Sequence, residues 1–178
     1  LTNTSGVEIT AMGYRSLRLS TGDGNTAMGY ESQVSTSTGV NNTSLGGNSM
    51  YSNVTGGFNT ALGQASLYFN TSGANNTAIG RTALFYNTAS NNTAVGFEAG
   101  YSNTSGVRIT AIGTTALRNS TGSYNVFLGS NAGRYISGGA TPATNPNFSI
   151  FIGANSYPLA STNSNQTVIG YNLVGQGS

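Results

Sequence analysis

The sequence predicts an all-β fold: a parallel β-roll or β-solenoid of about ten coils, each 16–17 residues long. Three observations predict it. A pentad of the form (N/I)-T-A-(aliphatic)-G recurs along the chain, its glycine falling at Gly13, Gly29, Gly46, Gly63, Gly80, Gly96, Gly113, Gly129, Gly153 and Gly170. Residue types repeat in columns around that glycine. Between one pentad and the next stand Asn, Thr and Gly, which turn chains. A βαβ unit needs about 30 residues, more than one repeat supplies. A repeat of this length suits one coil stacked on the last at about 4.8 Å, so ten coils make a rod of about 48 Å.

The pentad is the first strand of each coil. One residue before the glycine stands Met12, Met28, Leu45, Leu62, Ile79, Val95, Ile112, Leu128, Ile152 or Ile169. Three before it stands Thr10, Thr26, Thr43, Thr60, Thr77, Thr93, Thr110, Val126, Ile150 or Thr167. Two residues apart on a strand, these columns share one face. The expectation turns that face inward and makes Thr26, Met28, Thr43, Leu45, Thr60, Leu62, Thr77, Ile79, Thr93, Val95, Thr110 and Ile112 the core columns. Between them run Ala11, Ala27, Ser44, Ala61, Ala78, Ala94 and Ala111, followed by Phe127, Phe151 and Val168. An outward row of alanines reads as a face against which identical chains pack closely, and a closed threefold arrangement would bury thin cores jointly.

After the glycine comes a second, weaker strand. Its apolar column is Leu17, Met50, Leu67, Leu84 and Leu117, with Gln33, Gly100 and Gly133 as exceptions. Gly22, Gly39, Gly56, Gly73, Gly106 and Gly122 mark the second corner. Asn25, Asn42, Asn59, Asn76, Asn92 and Asn125 open the next strand. They read either as a hydrogen-bonded ladder from coil to coil or as turn caps.

Three regions follow. Regular repeats occupy 1–129, an inserted loop 130–148 and terminal coils 149–178. Across the loop the glycine spacing grows to 24 residues. It reads as a binding loop on a rigid scaffold or as a transition between two coil types, coinciding with the change from Ala to Phe. Both ends fall in mid-repeat, as expected of a piece of a longer chain.

Gly, Thr, Asn and Ser supply 96 of the 178 residues, and there is no Cys, His, Lys or Trp. A disulfide scaffold, a Cys or His metal site and a Ser-His-Asp centre are thereby excluded. No apolar run approaches the roughly 20 residues that span a bilayer. Six Arg against four acids give a dispersed +2, which is no nucleic-acid footprint. The acids are Glu8, Asp23, Glu31 and Glu98. Glu8 and Asp23, one coil apart, are the one candidate for paired-carboxylate chemistry, against a reading of scattered solvated charges. The expectation is a non-enzyme without cofactor or metal.

One stripe stands out. Five residues after the repeat glycine come Arg18, Val34, Tyr51, Tyr68, Phe85, Tyr101, Arg118 and Arg134. Arg18, Tyr51, Tyr68, Phe85, Tyr101, Arg118 and Arg134 are candidates for stacking on a surface polysaccharide or for packing between chains. Tyr14, Tyr30, Phe97 and Tyr171, beside the glycine, carry the same two readings. Eleven asparagines stand in N-x-(S/T) contexts, among them Asn42, Asn75, Asn91 and Asn103, an acceptor pattern that arises from the repeat itself. A threonine array on a solenoid invites an ice-binding reading. A column placed inside, with no Thr-x-Thr companion, weighs against it.

The pentads NTAIG (76–80), NTAVG (92–96) and ITAIG (109–113) resemble the head repeats of trimeric autotransporter adhesins. The unit NNTAIGRTALFYNTAS (75–90) and the passage 147–178 are similar to repeats of phage tail fibres and related surface-fibre proteins. The resemblance implies a left-handed homotrimeric β-roll: a structural and adhesive segment of an extracellular fibre, on a virion or a bacterial surface. Its implied partners are copies of itself and a cell-surface polysaccharide. The alternatives are a filament subunit polymerising end to end and, with less behind it, a monomeric ice-binding solenoid.

Overall fold

The computed structural model describes residues 5–135, 146–159 and 164–174. Ten three-residue strands form one parallel sheet in strict sequence order: β1 (Thr10–Met12), β2 (Thr26–Met28), β3 (Thr43–Leu45), β4 (Thr60–Leu62), β5 (Thr77–Ile79), β6 (Thr93–Val95), β7 (Thr110–Ile112), β8 (Val126–Leu128), β9 (Ile150–Ile152) and β10 (Thr167–Ile169). The chain is a β-solenoid, and the described residues contain no helix. Like sits on like, as in Thr60 against Thr77, Ala61 against Ala78 and Leu62 against Ile79. The register also holds across the insertion, where Val126 pairs with Ile150. Of the predicted loop at 130–148, residues 136–145 lie outside the described residues.

The repeat glycine sets the stacking distance. Gly80 has φ +131°, and a Cβ there would lie 2.4 Å from the Gly96 carbonyl oxygen of the next coil. No L side chain fits that backbone or that gap.

The predicted second strand is not one. Beyond the glycine the chain turns repeatedly, with left-handed residues two and four positions on, such as Ala65 (φ 54°) and Leu67 (φ 50°). A residue at positive φ breaks the pleat, so only the pentad forms a sheet. The segment still bonds to its neighbours. Leu67 N–H donates to the Ala83 carbonyl at 3.0 Å, and Phe69 N–H to that of Phe85 at 3.0 Å.

The inside and outside of the sheet are the reverse of the expectation. Ala27, Ala61, Ala78, Ala94 and Ala111 are buried at 0–1% exposure. The expected core columns Thr26, Met28, Thr43, Leu45, Thr60, Leu62, Thr77, Ile79, Thr93, Val95, Thr110 and Ile112 face outward, half-exposed or exposed. Leu45 is 46% exposed and Leu62 41%. The reason is the width of the coil. Leu17, Met50, Leu67, Leu84 and Leu117 project from the opposite wall at 0% exposure, and a leucine facing the sheet leaves room only for a methyl. The late coils confirm this by exchange of sizes. Phe127 and Phe151 take the alanine position and stack at 5.0 Å. Opposite Phe127 stands Gly133, where a Cβ would fall 1.9 Å from the phenyl ring. The outward alanine interface is thus corrected: that column belongs to each chain's own core.

Candidate functional site

The interior owes its cohesion to asparagine as much as to leucine. Asn42, Asn59, Asn76 and Asn92 are fully or almost fully buried and form a continuous ladder. The side-chain oxygen of Asn59 accepts the Asn76 N–H at 2.9 Å, and that of Asn76 accepts the Asn92 N–H at 3.0 Å. Each amide nitrogen reaches forward to the next corner: Asn42 to the Gly56 carbonyl (2.8 Å), Asn59 to Gly73 (2.9 Å) and Asn92 to Gly106 (2.9 Å). Ladder and corner cap are therefore one device. Ile109 interrupts the column; its N–H still bonds Asn92 Oδ1 at 3.0 Å. A second asparagine column, Asn53, Asn70, Asn87 and Asn103, is also buried, and sequence reading missed it. Its signal was a recurrence at the repeat period, seven residues after Gly46, Gly63, Gly80 and Gly96.

The aromatic stripe assembles as predicted in its middle. Tyr51 stacks on Tyr68 at 5.0 Å, Tyr68 on Phe85 at 5.2 Å and Phe85 on Tyr101 at 5.1 Å, with interplanar angles of 4°, 22° and 5°. The Arg118 guanidinium caps the end, 5.1 Å from the Tyr101 ring, and is held there by Glu98. Beside this column lies a second that sequence reading missed, Phe69 on Tyr86 at 5.2 Å. Edge contacts of 4.7–5.3 Å knit the two together. The consecutive aromatic pairs 68–69 and 85–86 were its signal. Arg134 turns to Tyr135, 4.7 Å from that ring. Arg18 stands at the other end of the stripe, separated from Tyr51 by the buried Val34. Burial raises the Tyr68 and Tyr101 pKa values, with help from Tyr51 at the first and Tyr86 at the second.

This geometry assigns the ring faces. Within the ladder Tyr68 and Phe85 spend both faces on their neighbours, and the outer face of Tyr101 is covered by Arg118. A sugar stacking on the patch meets edges, and the more exposed rings are Phe69 (39%) and Tyr86 (41%). Tyr14 and Tyr30, stacked at 5.5 Å near the first coils, are more open at 60% and 54%. Arg15 lies 5.1 Å from the Tyr14 ring and pairs with Glu31 at 3.0 Å.

The Asp23 carboxylate accepts the Val7 N–H at 2.9 Å, while Glu8 sits exposed at the corner with φ 57°. Among the described residues no group of three His, Cys, Asp or Glu could hold a metal, and no helix is long and apolar enough to cross a membrane.

The remaining surface is the outer face of the sheet. It presents two rows along ten strands: threonine or another β-branched residue in one, aliphatic residues or methionine in the other, with no charged side chain in either. The hydroxyls of Thr26, Thr43, Thr60, Thr77, Thr93 and Thr110 point from a backbone fixed in register. Scans of family models, curated proteins and solved structures each give no match to the chain.

Proposed function

We propose that the chain is a non-enzymatic rod segment of an extracellular fibre, structural and adhesive, as in a phage tail fibre or bacterial surface adhesin. It assembles with identical chains, and a homotrimer is the arrangement put forward. The observation that carries this reading is the outward sheet face. A monomer leaves a neutral apolar row half-exposed or exposed along the rod, with Met12, Leu45, Leu62, Ile112 and Ile169 at 41–63%. A contiguous exposed apolar stripe marks a contact surface. The likeness of the pentads to adhesin and tail-fibre repeats supports the same reading, and a sparsely charged, cysteine-free rod held by backbone ladders suits life outside the cell. The test is light scattering after size exclusion. Three times 18.1 kDa is expected, and Leu62→Arg on the outward face should return the mass to one chain with the fold intact. A monomeric wild-type chain refutes assembly through this face.

Two alternatives have an observation each. End-to-end polymerisation is favoured by the β10 edge, where both amide atoms of the buried Gln166 lack a partner. A large, polydisperse mass would select it. Ice binding is favoured by the outward threonine row, which removes one of the two arguments against it and leaves the missing Thr-x-Thr companion. Inhibition of ice recrystallisation by a monomer would select it.

A further inference from the structure

The fold sorts eight of the eleven acceptor asparagines into two sets; of the others, Asn119 and Asn147 are half-buried, with side chains bonded to the Arg134 carbonyl and the Ser123 N–H. Asn42, Asn53, Asn70 and Asn103 stand in N-x-(S/T) contexts but are 0% exposed. Their amide nitrogens are committed to the carbonyls of Gly56, Gly56, Gly73 and Gly106 at 2.8–2.9 Å. Asn41, Asn75, Asn91 and Asn165 are exposed instead, all on one column at the corner that opens the strand. Their backbones are fixed at φ 54°, 57°, 65° and 59°. Each N–H is tied to the coil before it, at 2.9, 3.1, 2.9 and 3.0 Å. Their side chains take no part in that bonding. The hydroxyl residue two places on is Thr43, Thr77, Thr93 or Thr167, the outward residue that begins β3, β5, β6 or β10.

We propose that Asn41, Asn75, Asn91 and Asn165 are N-glycosylation acceptors on the folded chain, each taking a single hexose from a nucleoside-diphosphate sugar. The reaction forms a bond from Asn Nδ2 to the anomeric carbon. The anomeric carbon–oxygen bond to the diphosphate breaks, the nucleoside diphosphate leaves with that electron pair, and Nδ2 loses one proton. At Asn75 and Asn91 a single sugar follows from the spacing, and the same donor serves the isolated Asn41 and Asn165. Asn75 and Asn91 lie on adjacent coils about 4.8 Å apart, room for one ring each and none for a branched glycan. The contrast is sharpest at neighbours: Asn41 is an open acceptor, while Asn42 beside it is a buried rung whose modification would break the ladder. This inference does not depend on the fibre reading.

The folded chain, incubated with UDP-glucose and a soluble sequon-directed asparagine glucosyltransferase, is mapped by peptide mass spectrometry beside a urea-unfolded sample. Occupancy at Asn41, Asn75, Asn91 and Asn165 is expected to exceed that at Asn42, Asn53, Asn70 and Asn103 by more than about tenfold in the folded chain, since a rung reacts only from a locally opened coil. Unfolding should erase the difference. Thr77→Val, on the exposed face, should remove label from Asn75 alone. Equal labelling of both sets in the folded chain overturns the proposal. So does a folded chain that takes no label at the four corners, whether or not the unfolded chain is labelled.

Discussion

Removing one rung measures how much the buried asparagines hold. Asn59→Ala deletes the acceptor of the Asn76 N–H and the donor to the Gly73 carbonyl, 2.9 Å in each case. It also deletes a 3.1 Å bond to Asn42 Oδ1, but that oxygen keeps the Asn59 backbone N–H at 3.0 Å. One buried backbone group, the Asn76 N–H, is therefore orphaned, while the Gly73 carbonyl keeps the Asn70 side-chain amide at 2.9 Å. The unsatisfied group costs about 1–3 kcal/mol and the lost bond to Gly73 about 0.5–1.5 kcal/mol, so the expected loss is about 1.5–4.5 kcal/mol. A stacked-repeat protein need not unfold in one step, so the assay is local: hydrogen exchange at the Asn76 amide and its neighbours, beside a global urea titration. Asn76 exchange should accelerate at least about tenfold, which corresponds to 1.4 kcal/mol, with the effect concentrated in the coils of β4 and β5. Asn59→Asp keeps the acceptor but loses both donations and buries a charge, so it should be no milder. Unchanged protection at Asn76 in Asn59→Ala would refute the claim that the ladder holds the corner closed. The exposed Ser72→Ala serves as control and should lie within about 0.5 kcal/mol of wild type.

The other predictions concern the corners, the core and the aromatic patch. Gly80→Ala should cost more than about 3 kcal/mol and open the β5–β6 rungs to exchange, because its methyl meets the Gly96 carbonyl and its φ is +131°; wild-type protection there would sink the close-approach argument. Gly133→Leu should destabilise strongly by striking Phe127, and Phe127→Ala in the same chain should recover most of that loss by recreating the leucine–alanine pairing; additive losses in urea melts would contradict the fixed-width core. Thr82, β-branched at φ 55°, should be improved by Thr82→Asn by about 0.5–1 kcal/mol, read as a higher melting midpoint. The raised pKa values of Tyr68 and Tyr101 mean that the fold favours their neutral form. Their contribution is present below the ordinary value of 10.0 and lost as pH climbs through the folded value, so stability should fall in alkali and ultraviolet titration should show late tyrosinates at these two and at Tyr157, which burial also raises.

Much of this protein was legible in one dimension because a solenoid repeats in space what it repeats in sequence. The period fixed which residues stack: Thr60 on Thr77, Tyr68 on Phe85 and Asn59 on Asn76 follow from spacing alone, since coils stacked in register place each residue on its homologue. The glycine column was equally legible, because only glycine survives where adjacent backbones meet. The side of the sheet facing inward was not. A two-residue alternation defines two faces without saying which is buried, and apolarity favoured the threonine–aliphatic rows. Tertiary structure decided otherwise, because the width of the coil is set by the opposite wall. With Leu84 or Leu117 already filling the interior, a strand residue there can be no larger than alanine, and where Gly133 vacates the wall, Phe127 fills the space. The left-handed turns that supply those leucines lie outside the pleated pattern that strand periodicity detects, so the wall that chose the core was the part least visible in the sequence.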